Sequence, residues 1–119
     1  MAKRTDRFSV FIPGNPRPKQ RPRVVNGRAY TPRKTRQWEN TVGWWWKSKQ
    51  GPRFDGPIAV KLDFYYPTAR RVDLDNLAKA ALDGLQGVAF EDDAQIVRME
   101  ASKRVERELP GVWVTIEEA

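Results

Sequence analysis

The sequence holds no cysteine and no histidine among its 119 residues. Without cysteine there is no disulfide framework, zinc finger or thiol chemistry, and nothing indicates an oxidising compartment. Without histidine the usual general base near neutral pH and the commonest soft-metal ligand are gone. Catalysis would then rest on carboxylates, lysine, tyrosine or a hard metal ion. Long apolar runs are lacking as well: none approaches the roughly 18 residues that span a bilayer, and the opening MAKRTDRFSVF has no apolar h-region. These absences predict a cytoplasmic protein with no membrane partner. Acid is scarce in one half only. Residues 1–53 carry 14 Lys and Arg against Asp6 and Glu39, whereas residues 54–119 carry 8 against 13 acids, within a net charge of +7.

A basic half of that strength points to a polyanion, and nucleic acid fits better than a membrane because no basic amphipathic helix is present. The length suits one domain, spanning residues 1–119. Phe8, Val10 and Ile12 alternate as a first strand, and Pro13-Gly14 ends it. Four prolines and four basic residues in PGNPRPKQRPR (13–23) forbid a helix and predict an extended arm. Asn26-Gly27 between short apolar pieces predicts a small basic hairpin over residues 24–30. Thr31-Pro32 reads as an N-cap and first helical position for a helix running to about residue 49, stopped by Gly51-Pro52. In that helix Trp38, Val42 and Trp45 share a face directed at the core, and three consecutive tryptophans require at least one to be exposed or at an interface between subunits.

Residues 58–66, IAVKLDFYY, alternate without a break and give the clearest strand. Leu74, Leu77, Ala78, Ala81, Leu82 and Leu85 then form one helical stripe over 73–86, with Asp73 at the N-cap and Gly87 past the C-terminus. Residues 95–105 and 111–117 read as two further strands around a turn near Leu109-Pro110-Gly111. The expected fold is α/β or α+β: one mixed sheet packed against two main helices.

The stretch 72–96 gathers six carboxylates and only Lys79 in an otherwise basic chain. Asp73 lies at the helix cap, and Asp75, Lys79 and Asp83 form an i, i+4, i+8 line on its flank. If the turn Glu91-Asp92-Asp93 folds back to the same helix end, three or four carboxylates surround one point. That donor set suits Mg²⁺ or Mn²⁺ and, with it, phosphate chemistry. An N-cap aspartate and an acidic turn are also ordinary solvated features. In a polyanion-binding protein, however, clustered acids work against binding unless a cation sits among them.

At these residues the chain resembles the RusA family of Holliday junction resolvases. Asp73-Leu74-Asp75-Asn76 with Lys79 and Asp83 looks like the family's D-L-D-N-x-x-K-x-x-x-D block. Gly87-Val88 followed by Asp92-Asp93-Ala94-Gln95-Ile96 looks like its second, D-D-x-Q-[IV]. The arm with Arg21-Pro22-Arg23 and the run Tyr30-Thr31-Pro32 are similar to bacteriophage and prophage members. The resemblance implies a homodimeric, Mg²⁺-dependent endonuclease acting on four-way junctions in recombination and repair, with Mn²⁺ able to substitute. Asp73, Asp75 and Asp93 would bind the metal and Lys79 would assist at the phosphate. For Asp92 three roles stay open: metal ligand, partner of Lys79, or cap of the turn. Lys79 has the alternative of an ion pair with Asp75 or Asp83.

Arg17, Lys19, Arg21, Arg23, Arg28, Arg33, Lys34 and Arg36 are the expected phosphate contacts, and Arg70 and Arg71 those beside the scissile bond. A less selective nuclease for branched DNA, or a noncatalytic DNA-binding protein, would carry the same basic half.

Overall fold

The computed structural model describes residues 7–19, 23–30 and 32–119. In chain order the elements are β1 (Arg7–Pro13), β2 (Arg23–Val25), β3 (Arg28–Tyr30), α1 (Arg33–Ser48), β4 (Ile58–Tyr66), α2 (Leu74–Leu85), a single 3₁₀ turn (Asp93–Gln95), β5 (Ile96–Val105) and β6 (Gly111–Glu118). Four strands form one sheet in the order β1-β6-β4-β5, and β2 and β3 form a separate ribbon. β6 is antiparallel to both β1 and β4, whereas β5 is parallel to β4. The sheet is therefore mixed, with α1 and α2 on one face, as the patterning implies.

Alternation along β4 turns Ile58, Val60, Leu62, Phe64 and Tyr66 into the helical layer, where all five are buried. The stripe of α2 answers them, with Leu77, Ala81 and Leu85 fully buried. The two helices cross at glycines. A Cβ on Gly43 would lie 2.8 Å from the Gly84 carbonyl oxygen, and one on Gly84 2.5 Å from the Glu39 carbonyl oxygen. Each glycine thus admits the other helix's backbone at a distance no side chain would permit.

The hairpin forms where expected: Asn26 and Gly27 both take positive φ, 52° and 77°, as a tight two-residue connection requires. The arm is extended but docked. Pro16 is buried, Thr35 Oγ1 donates to the Pro18 carbonyl, and the Lys19 amide donates to the Asn76 carbonyl.

Two expectations for α1 need correction. The helix begins at Arg33 with Pro32 at the capping position and no side-chain cap, while Thr31 lies outside the described residues. Among the tryptophans, Trp46 is the fully buried one and stacks edge-on against Phe8 at 5.0 Å, while Trp45 is only partly buried. Trp38 and Val42 are buried as expected, and Trp44 is the exposed member, at 61%. The stripe is rotated one residue past the position read from spacing, because the chain after α1 folds back over it and Pro52 offers its carbonyl to Trp46 Nε1 at 3.0 Å.

Candidate active site and its basic groove

Both long helices begin at the same end of the sheet, beside Tyr66, and between their N-termini lies a groove of about 780 Å³. Arg17, Lys19, Arg33, Lys34, Arg70 and Arg71 stand around it, with Asp73 and Asn76 on one wall. The first turn of α1 holds no acid to offset its dipole. Helix N-termini already favour anions, and Arg33 and Lys34 at one of them reinforce that preference. Arg17, Arg33, Lys34, Arg70 and Arg71 make no ion pair among the described residues. Their charge is available to phosphates.

Asp73 occupies the N-cap position of α2, yet its side chain makes no capping hydrogen bond. Its Oδ2 lies 3.4 Å from Asn76 Nδ2 instead. This corrects the expectation that Asp73 caps the helix, and it leaves the carboxylate facing the groove. Asp75 and Lys79 are exposed on the same half of α2, and neither is ion-paired among the described residues. Among the described residues Lys79 pairs with neither Asp75 nor Asp83, and Asp83 is engaged elsewhere.

That partner is Lys19, whose Nζ lies 2.9 Å from both Glu39 of α1 and Asp83 of α2. Lys19 thus clamps the arm to both helices, a role that composition alone conceals. Burial pulls the ammonium towards its neutral form, but hydrogen bonds and charge from Glu39 and Asp83 outweigh that and raise its pKa. With the folded value above the unfolded one, the clamp contributes stability throughout the range below ordinary lysine titration and loses it as pH rises through the folded value. A melting series from about pH 8 to about pH 12 should show the advantage of wild type over Lys19→Met shrinking only at the alkaline end. An advantage that vanished on acidification from pH 8 to about pH 6 would contradict this account.

The acidic turn lies elsewhere. Asp92 accepts from the Ala94 amide at 2.9 Å and Gln95 Oε1 accepts from the Glu91 and Asp92 amides, forming a capping box. Gln95 Nε2 donates to the Phe54 and Gly56 carbonyls, just ahead of β4. Arg53 adds a bond to the Gly87 carbonyl at 2.7 Å and an ion pair with Glu91. Asp92 is therefore occupied in holding the turn, while Asp93 is exposed and unpaired among the described residues. Gln95 and Arg53 were not singled out as functional from sequence. The signal for Gln95 lay in its fixed place within the second acidic block.

This turn sits at the start of β4, whereas Asp73 follows its end. α2 separates the two along its length, about 18 Å for 12 residues. The expected return of Glu91-Asp92-Asp93 to the N-terminus of α2 does not occur within one chain. The reason is the parallel β4–α2–β5 crossover, which brings the chain back to the end of the sheet at which β4 begins. Among the described residues no three carboxylates of a chain are grouped to hold a metal ion.

Of the expected phosphate contacts outside the groove, Arg28 lies exposed in β3 and Arg36 exposed on α1. Arg21 lies outside the described residues, and Arg23 is described in its backbone only.

A family model of endodeoxyribonuclease RusA matches residues 13–117, which takes in the arm, the groove, both acidic segments, β4, β5 and all of β6 but its last residue, while β1 lies outside the match except for Pro13. The chain belongs to the RusA family. Crossover junction endodeoxyribonuclease RusA of Escherichia coli (strain K12) is 48% identical over 42 residues, covering 34% of this chain and 35% of that protein. The protein of that name from Shigella sonnei matches equally, and the one from Enterobacteria phage 82 is 45% identical over 42 residues. These matches span about a third of the length of the curated relatives. No helix among the described residues is long and apolar enough to cross a membrane.

Proposed function

We propose that this RusA-family chain is a Mg²⁺-dependent, structure-selective endodeoxyribonuclease that resolves Holliday junctions by paired symmetric nicks, acting as a cytoplasmic homodimer in recombination and repair. The observation that carries the reading is an uncapped Asp73 carboxylate facing a groove surrounded by cations. Family membership supports the same reading.

The donor chemistry fits a hard divalent cation. Asp73, Asp75 and Asp93 offer only carboxylate oxygens, and the chain has no histidine or cysteine to favour zinc. When bound, Mg²⁺ would supply the charge that acidifies an attacking water and offsets the negative charge accumulating around phosphorus. Arg70 and Arg71 would hold the flanking phosphate backbone, with Arg33 and Lys34 across the groove. Lys79 would donate a hydrogen bond to a nonbridging or leaving oxygen, where negative charge grows.

Asp73 and Asp75 lie two residues apart at the start of α2, and Asp93 follows its far end. A second copy can supply it. β5 is an outer strand of the sheet, and Val97, Met99 and Val105 along it are exposed. An open strand edge of this kind is a template for pairing. The far end of β5 lies beside the start of α2, since Lys103 Nζ donates to the Val72 carbonyl. Antiparallel pairing of β5 with its copy across a two-fold axis would bring Asp93 of the partner subunit towards Asp73 and Asp75. Two equivalent composite sites result, one for each strand to be nicked.

The test uses a labelled four-way junction and a linear duplex, each with Mg²⁺ or EDTA, and Asp75→Asn beside wild type. Symmetric, Mg²⁺-dependent nicks in the junction that disappear in the variant while binding persists are the expected result. Cleavage of linear duplex at the same rate would reduce the reading to a general nuclease, and metal-independent binding without cleavage would overturn it.

A further inference from the structure

Among the described residues nothing covers the sheet face turned away from the helices, and it is not uniformly polar. Phe11, Trp113 and Tyr65, from the adjacent strands β1, β6 and β4, form a cluster there. The Phe11 ring lies 5.6 Å from Trp113 and 6.3 Å from Tyr65, tilted against both. A Cβ on Gly111 would lie 2.6 Å from the tip of the Phe11 ring, so the ring rests on bare backbone. Trp113 is 43% exposed, and Arg104 from β5 lies over Tyr65 at 5.5 Å from its centroid. From Phe11 and Trp113 an open groove of about 570 Å³ continues around the β1 edge to Trp45, over which Lys49 sits at 5.5 Å. Twice, then, an accessible ring is paired with a cation.

The rest of this face argues against an apolar protein partner. Ser9 bonds Thr115 at 2.7 Å, Ser102 bonds Asp63 at 2.7 Å, and Lys61 and Glu100 are exposed between them. A hydrophobic surface laid over it would strip the charged Lys61 and Glu100 of water. A flexible nucleotide strand would not, because its bases bring π-faces and its backbone brings anions at short, regular intervals. The location agrees. Tyr65 and Tyr66 are consecutive, Tyr66 lining the basic groove and Tyr65 the open face, so the two surfaces meet at one end of the sheet.

We propose that this face is a second nucleic-acid site, which takes unpaired nucleotides of a DNA strand by stacking bases on Trp113 and Tyr65, with Arg104 and Lys49 meeting the phosphates. It rests on the DNA-processing reading for its ligand but requires neither metal nor cleavage. A strand released from pairing at the branch point would pass Arg70 and Arg71, round the sheet end and lie across the rings.

The full chain in EDTA is titrated into fluorescent oligothymidine and, separately, into blunt duplex, with anisotropy as the readout. Trp113→Ala and Tyr65→Ala should each weaken oligothymidine binding by roughly tenfold or more while duplex binding changes by less than about twofold. Trp113→Phe should restore most of the loss. If circular dichroism shows that Trp113→Ala does not fold, Tyr65→Leu and Arg104→Ala carry the same comparison. Unchanged oligothymidine binding, or an equal loss on duplex, overturns the proposal. So does a variant that alters the sedimentation coefficient of the free protein, since the face would then be a protein interface. Failure of the nuclease reading is seen separately, as a wild-type chain that binds oligothymidine through these rings but never cuts a junction in Mg²⁺.

Discussion

Asp75→Asn and Asp93→Asn, each inactive alone, should recover junction cleavage when mixed. Asp75 belongs to the N-terminal half of α2, and Asp93 to a turn beyond its other end, about 18 Å away along the helix. If each catalytic centre draws its acids from two subunits, a mixed dimer has one centre with both substitutions and one with neither. Each variant alone should lose at least about a hundredfold in rate, since every centre in it lacks a charged ligand. After subunit exchange about half the dimers are mixed, each with one intact centre, so roughly a quarter of wild-type centres return. Those dimers should nick one strand and fail to complete the paired cut. If all three acids served within one chain, mixing would restore nothing. The measurement is a denaturing gel of end-labelled junction strands for each variant and for the equimolar mixture, in Mg²⁺.

Gly84→Ala should be among the most destabilising single-methyl changes in the chain. The added carbon would sit 2.5 Å from the Glu39 carbonyl oxygen and 3.0 Å from Val42 Cβ. Backbone cannot swing aside as a flexible side chain does, so α1 and α2 must separate. Alanine is the better helix former by about 1 kcal/mol, but overpacking of a close crossing typically costs about 1–3 kcal/mol, and here the separation also loosens the packing around buried Val42. We expect a net loss of about 2 kcal/mol, seen as a fall in Tm of roughly 8 °C. Lys19 bridges the same crossing through Glu39 and Asp83, so the variant should also relax the arm. Gly56→Ala, where a Cβ meets nothing within 4 Å, is the control and should leave Tm nearly unchanged. An unaltered Tm in Gly84→Ala would show that the helices do not cross at this distance.

Much of the architecture was legible because its causes are local. The alternation of β4 and the stripe of α2 each declare a buried face within one element, and the structure has both. The site was less legible because its geometry depends on how distant segments pair. Residue types around Asp73 pointed to phosphate chemistry, but where the Asp92-Asp93 turn returns depends on whether β5 runs with β4 or against it. The necessary signal was present: a helix between neighbouring strands usually means a parallel crossover, which sends the chain back to the opposite end. The conduct of Asp73 could not be read from its position, since an aspartate before a helix ordinarily caps it. The open-face cluster was hidden for a related reason. Phe11, Tyr65 and Trp113 are far apart in sequence and meet only through the registers Phe11↔Trp113 and Tyr65↔Gly111.

The parallel crossover has a bearing on how such a chain is tolerated in a cell. If the centre is shared between subunits as proposed, a newly made copy, with its acids at opposite ends of α2, would hold two incomplete half-centres and could not cut by itself. Assembly would then act as a safety catch: at low abundance the competent species grows with the square of chain concentration, so a tenfold dilution removes about a hundredfold of it. A few stray copies would bind DNA and leave it intact.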